Sequence, residues 1–248
     1  MNYSLKELAF NVYCWSCFGV ISFISILLIC IVRIINLIIR PFPTPRMVRI
    51  AIRLYGWIIV RVVPFMGPVR LEDNSGGLPI PSILVANHLS AVDPYCFGVL
   101  PGEYAFMTSW PFNIPIYRWI MIKSQYIDSS SGGHNILEKS KTLLAKGCSL
   151  IIWPEGHRST DGRLGPFQNG AFRISKDTGY PVIPVCIKGT DVLLPPGKKL
   201  LTAARISVTL LPPRYPNNSE SDREAVRNLK NLVFQDIEAE QKRRTQAN

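Results

Sequence analysis

The stretch Ile80–Pro94, IPSILVANHLSAVDP, opens on an apolar run from Ile80 to Ala86 and leaves it through Asn87 and His88 into a polar loop. A short apolar run bounded by Pro81 and by a polar cluster reads as a buried strand. His88 is thereby placed at a strand exit, where α/β folds keep their chemistry. Histidine titrates nearest neutrality of all side chains, and a carboxylate beside one ring nitrogen leaves the other free to take a proton from a hydroxyl. Asp93 is the candidate carboxylate. The same residues carry a second reading, in which Asp93 and Pro94 start a helix as cap and first helical residue and Ser90 adds a turn contact. On a straight helix five residues turn through roughly 500°, about 140° away from a common face. The loop must therefore bend if His88 and Asp93 are to meet.

A second stretch has the same form. The apolar run Cys148 to Ile152 leads into Trp153–Gly162, WPEGHRSTDG. Taken together, the Asn-His-x4-Asp block, the Pro-Glu-Gly-x-Arg-Ser block and the run PVIPV at Pro181–Val185 resemble the glycerolipid acyltransferase family, whose bacterial type member acylates lysophosphatidic acid. The resemblance runs from about Val69 to Pro213. It implies an enzyme that moves a fatty acyl group from a thioester, of coenzyme A or acyl carrier protein, to a lysolipid hydroxyl. In that reading His88 is the general base and Asp93 its orienting partner, in one step without an acyl-enzyme, and no cofactor or metal is implied. Glu155, Gly156 and Arg158 match the acceptor-binding block, where a guanidinium suits phosphate and glycine lets backbone amides approach. Asn87 and Ser90 join them as expected substrate contacts, Ser90 also as a residue that shapes the loop. Without the resemblance, Glu155 and Arg158 read as a surface ion pair three residues apart. His157 reads as a polar lining residue and His134 as a solvated one.

The sequence also departs from the family pattern. A Gly-x-x-Phe-Ile-x-Arg stretch that supplies a second phosphate-binding arginine corresponds here to Lys123–Ser129, KSQYIDS, with Lys123 for glycine and Ser129 for arginine. Two lysines common nearby are Ser109 and Gln168. Each lost charged partner for a phosphate would cost about 1.5–3 kcal/mol. Family precedent points to 1-acyl-sn-glycerol-3-phosphate as acceptor and phosphatidic acid as product. The departures point to a less anionic lysolipid: a diester, an aminoacyl lipid or a glycolipid. Two further readings stay open, a thioesterase that hands the acyl group to water, and a non-catalytic lipid-binding protein in which Asp93 only caps a helix.

Composition agrees with a lipid-facing protein. At 248 residues the chain suggests one domain with an appended segment, and 47% hydrophobic content with mean hydropathy +0.15 is high for a soluble protein. Of the net charge of +11, seven units lie between Leu8 and Leu71, which holds seven arginines, no lysine and no acid. Basic residues interleaved with long apolar runs point to anionic lipid headgroups and not to nucleic acid. The six cysteines fall in apolar runs and read as small buried hydrophobes, and Cys14-x-x-Cys17 lacks the second pair a metal site needs.

From Leu8 to Val32 run 25 uncharged residues. As a helix they would span roughly 37 Å, against a hydrocarbon core of about 30 Å. No cleavage signal follows, and the arginines all lie on the far side, which places the remainder on the cytoplasmic face of a membrane, the inner membrane if the source is bacterial. After Pro41, Pro43 and Pro45, the stretch Arg46–Val63 reads as a second helix with Arg46, Arg49, Arg53 and Arg61 on one side, an interfacial helix with arginines among phosphates. Its alternative is a core helix with a solvated face. The expected division is therefore a two-helix membrane-binding segment, 1–68, and an acyltransferase domain, 69–248, opening after Pro64, Gly67 and Pro68. Within the domain, strands at 80–86, 104–108, 125–127, 148–152, 182–187 and 206–211 alternate with helices at 94–100, 114–123 and 134–146. A last helix opens with a Ser221-x-x-Glu224 capping box. The expected class is α/β, a mixed sheet flanked by helices.

Overall fold

A computed structural model describes residues 4–39, 44–63 and 69–243. The breaks expected at Pro41, Pro43, Pro64, Gly67 and Pro68 lie outside the described residues. In chain order the elements are α1 (Leu5–Ile39), α2 (Thr44–Val62), β1 (Arg70–Asp73), β2 (Ile83–Ala86), α3 (Asp93–Cys96), β3 (Tyr104–Thr108), α4 (Pro115–Ser124) and β4 (Ile127–Asp128). There follow α5 (Gly133–Ala145), β5 (Ser149–Ile152), α6 (Gly170–Thr178), β6 (Val182–Lys188), α7 (Thr190–Leu193), β7 (Ser207–Leu210) and α8 (Asp222–Arg243).

The strands form one sheet in the order β1-β7-β6-β2-β5-β3-β4, with every pairing parallel except β6 with β7. The α/β class and the mixed sheet are as the sequence implied. The central strands are apolar and buried throughout because helices cover both faces. Side chains alternate between two cores: Leu84, Ala86 and Ile151 meet α2, α3 and the start of α1, while Ile83, Val85, Leu150 and Ile152 meet the side of α5, α6 and α8. Gly147, at φ +80°, follows α5 in the left-handed conformation that Gly adopts without cost. Cys96, Cys148 and Cys186 are free and buried.

The second helix needs correction. Among the described residues one helix, α1, is long and apolar enough to cross a membrane, and α2 is a wall of the domain. Gly56 packs on the backbone of Tyr95 and Gly98, and a Cβ on Gly98 would collide with the backbone of Gly56 and Trp57. Three of the four arginines of α2 turn to protein partners: Arg49 meets Glu103 at 2.5 Å and donates to the Ser124 carbonyl at 2.7 Å, Arg46 lies 3.3 Å from Glu103, and Arg53 donates to the Leu100 carbonyl at 2.9 Å, while Arg61 is exposed. A basic stripe looks the same in sequence whether it faces phosphates or a carboxylate and carbonyls contributed fifty residues later.

Helix α1 lies along the domain. The Asn11 amide accepts from Leu201 N at 2.6 Å and donates to Leu201 O at 3.1 Å, and Trp15 Nε1 donates to the Lys199 carbonyl. Further on, Ser22 Oγ and Tyr55 OH are 2.7 Å apart, and the Arg33 guanidinium sits 4.5 Å above the Trp119 ring.

Candidate active site

Strands β2 and β5 are neighbours, so the loops that leave their carboxyl ends meet. After β2 the chain bends back, because the carboxylate that begins α3 gathers the loop around itself. Asp93 Oδ2 accepts from Leu89 N at 2.7 Å and Ser90 N at 2.9 Å, and lies 2.7 Å from His88 Nδ1. The two amides make the bend that helical spacing alone could not supply. Asp93 is fully buried and His88 is 19% exposed. With Nδ1 facing a carboxylate, the imidazole carries its proton there and presents Nε2 as the basic nitrogen.

The loop after β5 clasps the same backbone. Glu155 Oε1 accepts from His88 N at 2.8 Å, Glu155 Oε2 accepts from Gly165 N at 2.7 Å, and Ser159 N donates to the His88 carbonyl at 2.8 Å. Burial raises the Glu155 carboxyl above the ordinary glutamate range, and the two amide donors pull the other way. The Trp153 indole stacks on the His88 ring at 4.8 Å and 28°, and on Phe106 at 5.6 Å and 8°. One face of the imidazole is thus covered by aromatic carbon.

Three of the expected substrate contacts are placed otherwise. Asn87 is fully buried, donating to Ile187 O at 2.9 Å and accepting from Ile187 N at 2.7 Å, so it ties β2 to β6. Ser90 is fully buried too, and its hydroxyl donates to the Leu194 carbonyl at 2.6 Å. Glu155 holds backbone with both oxygens. Polar residues at a strand exit resemble ligands in sequence, but these have their hydrogen-bonding capacity met by the fold. The alternative of a Glu155–Arg158 ion pair also fails, because among the described residues none joins them.

Gly156, at φ +74°, and Arg158 remain exposed in the loop after β5, as does His157. A Cβ on Gly156 would press on Gln168 Nε2 at 2.7 Å. Ser109 and Ser129 follow the carboxyl ends of β3 and β4, on the same edge as His88, and Ser129 N donates to Thr108 O at 3.2 Å. Positions expected to hold an acceptor's head are gathered on one edge. Lys123 lies exposed in the last turn of α4, and His134 is exposed on α5. Among the described residues no three His, Cys, Asp or Glu side chains converge as metal ligands would. The sequence reading missed the Trp153 stack; the signal available was an aromatic residue ending the β5 run directly before Pro-Glu-Gly.

Residues 72–188 match the model of the family described as Acyltransferase. Among curated relatives, the 1-acyl-sn-glycerol-3-phosphate acyltransferase BAT2, chloroplastic, of Brassica napus is 32% identical over 172 residues, covering 66% of this chain and 50% of that protein. The chloroplastic LPAT1 of Arabidopsis thaliana, of the same description, is 31% identical over 173 residues, 66% of this chain and 48% of its own. The chain thus spans about half the length of these relatives. A 1-acyl-sn-glycerol-3-phosphate acyltransferase of Limnanthes alba is 26% identical and covers 92% of this chain and 84% of its own. Among solved structures, that of the 1-acyl-sn-glycerophosphate (LPA) acyltransferase PlsC from Thermotoga maritima shares the fold, with a TM-score of 0.64 at 21% identity over 95% of this chain and 97% of that one. The matched interval takes in both loops that build the His88 site, and over that interval the chain is similar to the Acyltransferase family.

Proposed function

We propose that this chain is a membrane-associated O-acyltransferase that moves a fatty acyl group from an acyl thioester of coenzyme A or acyl carrier protein to the hydroxyl of 1-acyl-sn-glycerol-3-phosphate, giving phosphatidic acid. The observation that carries the proposal is the 2.7 Å contact of His88 Nδ1 with the buried Asp93 carboxylate, which leaves Nε2 as the base at the exit of β2. The hydroxyl proton passes to Nε2 as the oxygen attacks the thioester carbonyl. The tetrahedral intermediate then expels the thiolate, which recovers the proton from the imidazolium, leaving an ester and a free thiol. Asp93 holds the tautomer and offsets the imidazolium charge, and Glu155 fixes the backbone from which His88 projects. The exposed Arg158 guanidinium, beside Gly156, suits an acceptor phosphate.

The names of the relatives favour lysophosphatidic acid as acceptor. Ser109 and Ser129, where a phosphate monoester would meet cations, favour a less anionic lysolipid. Purified protein assayed with a lysolipid panel, with and without a phosphate monoester head, separates the two. Turnover with lysophosphatidic acid well above that with lysophosphatidylcholine or lysophosphatidylglycerol supports the first; the reverse order rejects it. Acyl-thioester cleavage at full rate without any lysolipid would identify a thioesterase. In this reading α1, held against the domain at Asn11 and Arg33, enters one leaflet, and the arginines that follow it favour a domain on the cytoplasmic face.

A further inference from the structure

A second apolar surface lies beside α1. Between Glu103 and Asp128 the chain has no acidic residue and two cations, Arg118 and Lys123. In this segment the 3-10 turn Trp110–Asn113 and helix α4 present Trp110 at 66%, Ile116 at 68% and Ile122 at 55% exposure, with Tyr117 and Trp119 also exposed. Met121 and Ser124 face inward, while Arg118, Trp119, Ile122 and Lys123 share the outer arc of α4. Large apolar groups gathered with cations and no acid on an outer face mark a place where water is displaced. Trp and Tyr among basic residues suit the headgroup level of a bilayer.

Placement supports the same partner. Arg33 of α1 stacks on Trp119 of α4 at 4.5 Å, and beyond Arg33 α1 exposes Ile34, Ile35, Ile38 and Ile39. The second half of α1 and α4 are thus joined at Arg33 and Trp119, and both expose large apolar side chains, with Arg33, Arg118 and Lys123 as the cations beside them. The turn at Trp110 follows the carboxyl end of β3, on the sheet edge that carries His88. We infer that the Trp110–Ile122 surface is a second membrane contact, seated on anionic lipid in the leaflet that α1 enters, which brings the sheet edge carrying His88 to the bilayer. The inference rests on the membrane reading of α1 given above.

The test uses the full chain reconstituted into phosphatidylcholine/phosphatidylglycerol vesicles. Lipids brominated in the acyl chain are expected to quench a component of the tryptophan emission that disappears in Trp110→Phe. The double variant Ile116→Ser/Ile122→Ser, folded by circular dichroism, is expected to lose at least tenfold in transfer to lysophosphatidic acid in vesicles, and to stay within twofold of wild type on a short-chain, monomeric lysophosphatidic acid. Unchanged quenching in Trp110→Phe together with full activity of the double variant on vesicles overturns the inference. A double variant that converts a dimer to a monomer in sedimentation, with no quenched Trp110 component, overturns it in favour of a contact between copies of this chain. Should neither protein transfer acyl groups to any acceptor, the functional proposal fails, and the quenching still decides the membrane contact.

Discussion

The backbone amide of His88 and the Glu155 side chain are joined by a 2.8 Å hydrogen bond, so two loops sixty-seven residues apart in sequence form one rigid mount for the imidazole. The second carboxylate oxygen extends the mount to Gly165. Glutamine keeps one acceptor at most and turns an NH2 group toward a second amide donor. Glu155→Gln is expected to cost about 1–3 kcal/mol of stability, read as a lower melting temperature, and to lower kcat more than it raises KM.

Proton linkage gives the same carboxyl a pH signature. Burial raises its folded pKa above the unfolded value. Its contribution is therefore fully present below the ordinary glutamate range and lost as pH rises through the raised value. Relative to Glu155→Gln, wild type is expected to lose stability as pH rises across that window, measured by thermal unfolding at a series of pH values. Parallel curves for the two proteins would refute the assignment.

His88→Ala is expected to lower transfer by about 10²–10⁴-fold with secondary structure unchanged, the range for removal of a general base. Asp93→Asn retains an oxygen for the Leu89 and Ser90 amides but no charge opposite His88 Nδ1. Its loss of rate is expected to approach that of His88→Ala while its fold persists. A fully active, folded Asp93→Asn would make the residue a loop cap only.

Trp153 restrains the histidine ring from one face. Trp153→Phe, which retains a stacking surface, is expected to hold most of kcat. Trp153→Leu is expected to lose about tenfold or more, since small displacements of a reacting group are costly. Equal rates for the two variants would show that the indole only fills space.

Gly98 lies where α2 crosses the 3-10 turn Phe97–Val99, with the backbone of Gly56 and Trp57 in the space a Cβ would take. Gly98→Ala is expected to destabilise by about 1–3 kcal/mol through overpacking, visible as a lower melting temperature of the detergent-solubilised protein.

His88 and Asp93 were legible as a candidate pair because a histidine at a strand exit stands within one loop of a carboxylate, although Asp93 also begins α3. The bend that joins them depends on the amides of Leu89 and Ser90, and no side-chain pattern records those. The ties that Asn87 and Ser90 make are hidden in the sequence for a related reason: their partners, Ile187 and Leu194, lie about a hundred residues away. On α2 the helical wheel found the arginine face correctly but not Glu103, which turns that face into an internal tie. The long apolar run of α1 and the alternation of strands and helices were plain, because periodicity is a local property and needs no distant partner.

The paired hydrogen bonds between Asn11 and Leu201 make the long apolar helix part of the fold and not a detachable tether. Removing residues 1–22 would strip the Leu201 peptide group of both partners and bare the seam where Phe18 meets Tyr95. Such a shortened protein is expected to aggregate when made without detergent, the opposite of what trimming a hydrophobic leader is usually meant to achieve, and centrifugation of the expressed fragment would show it.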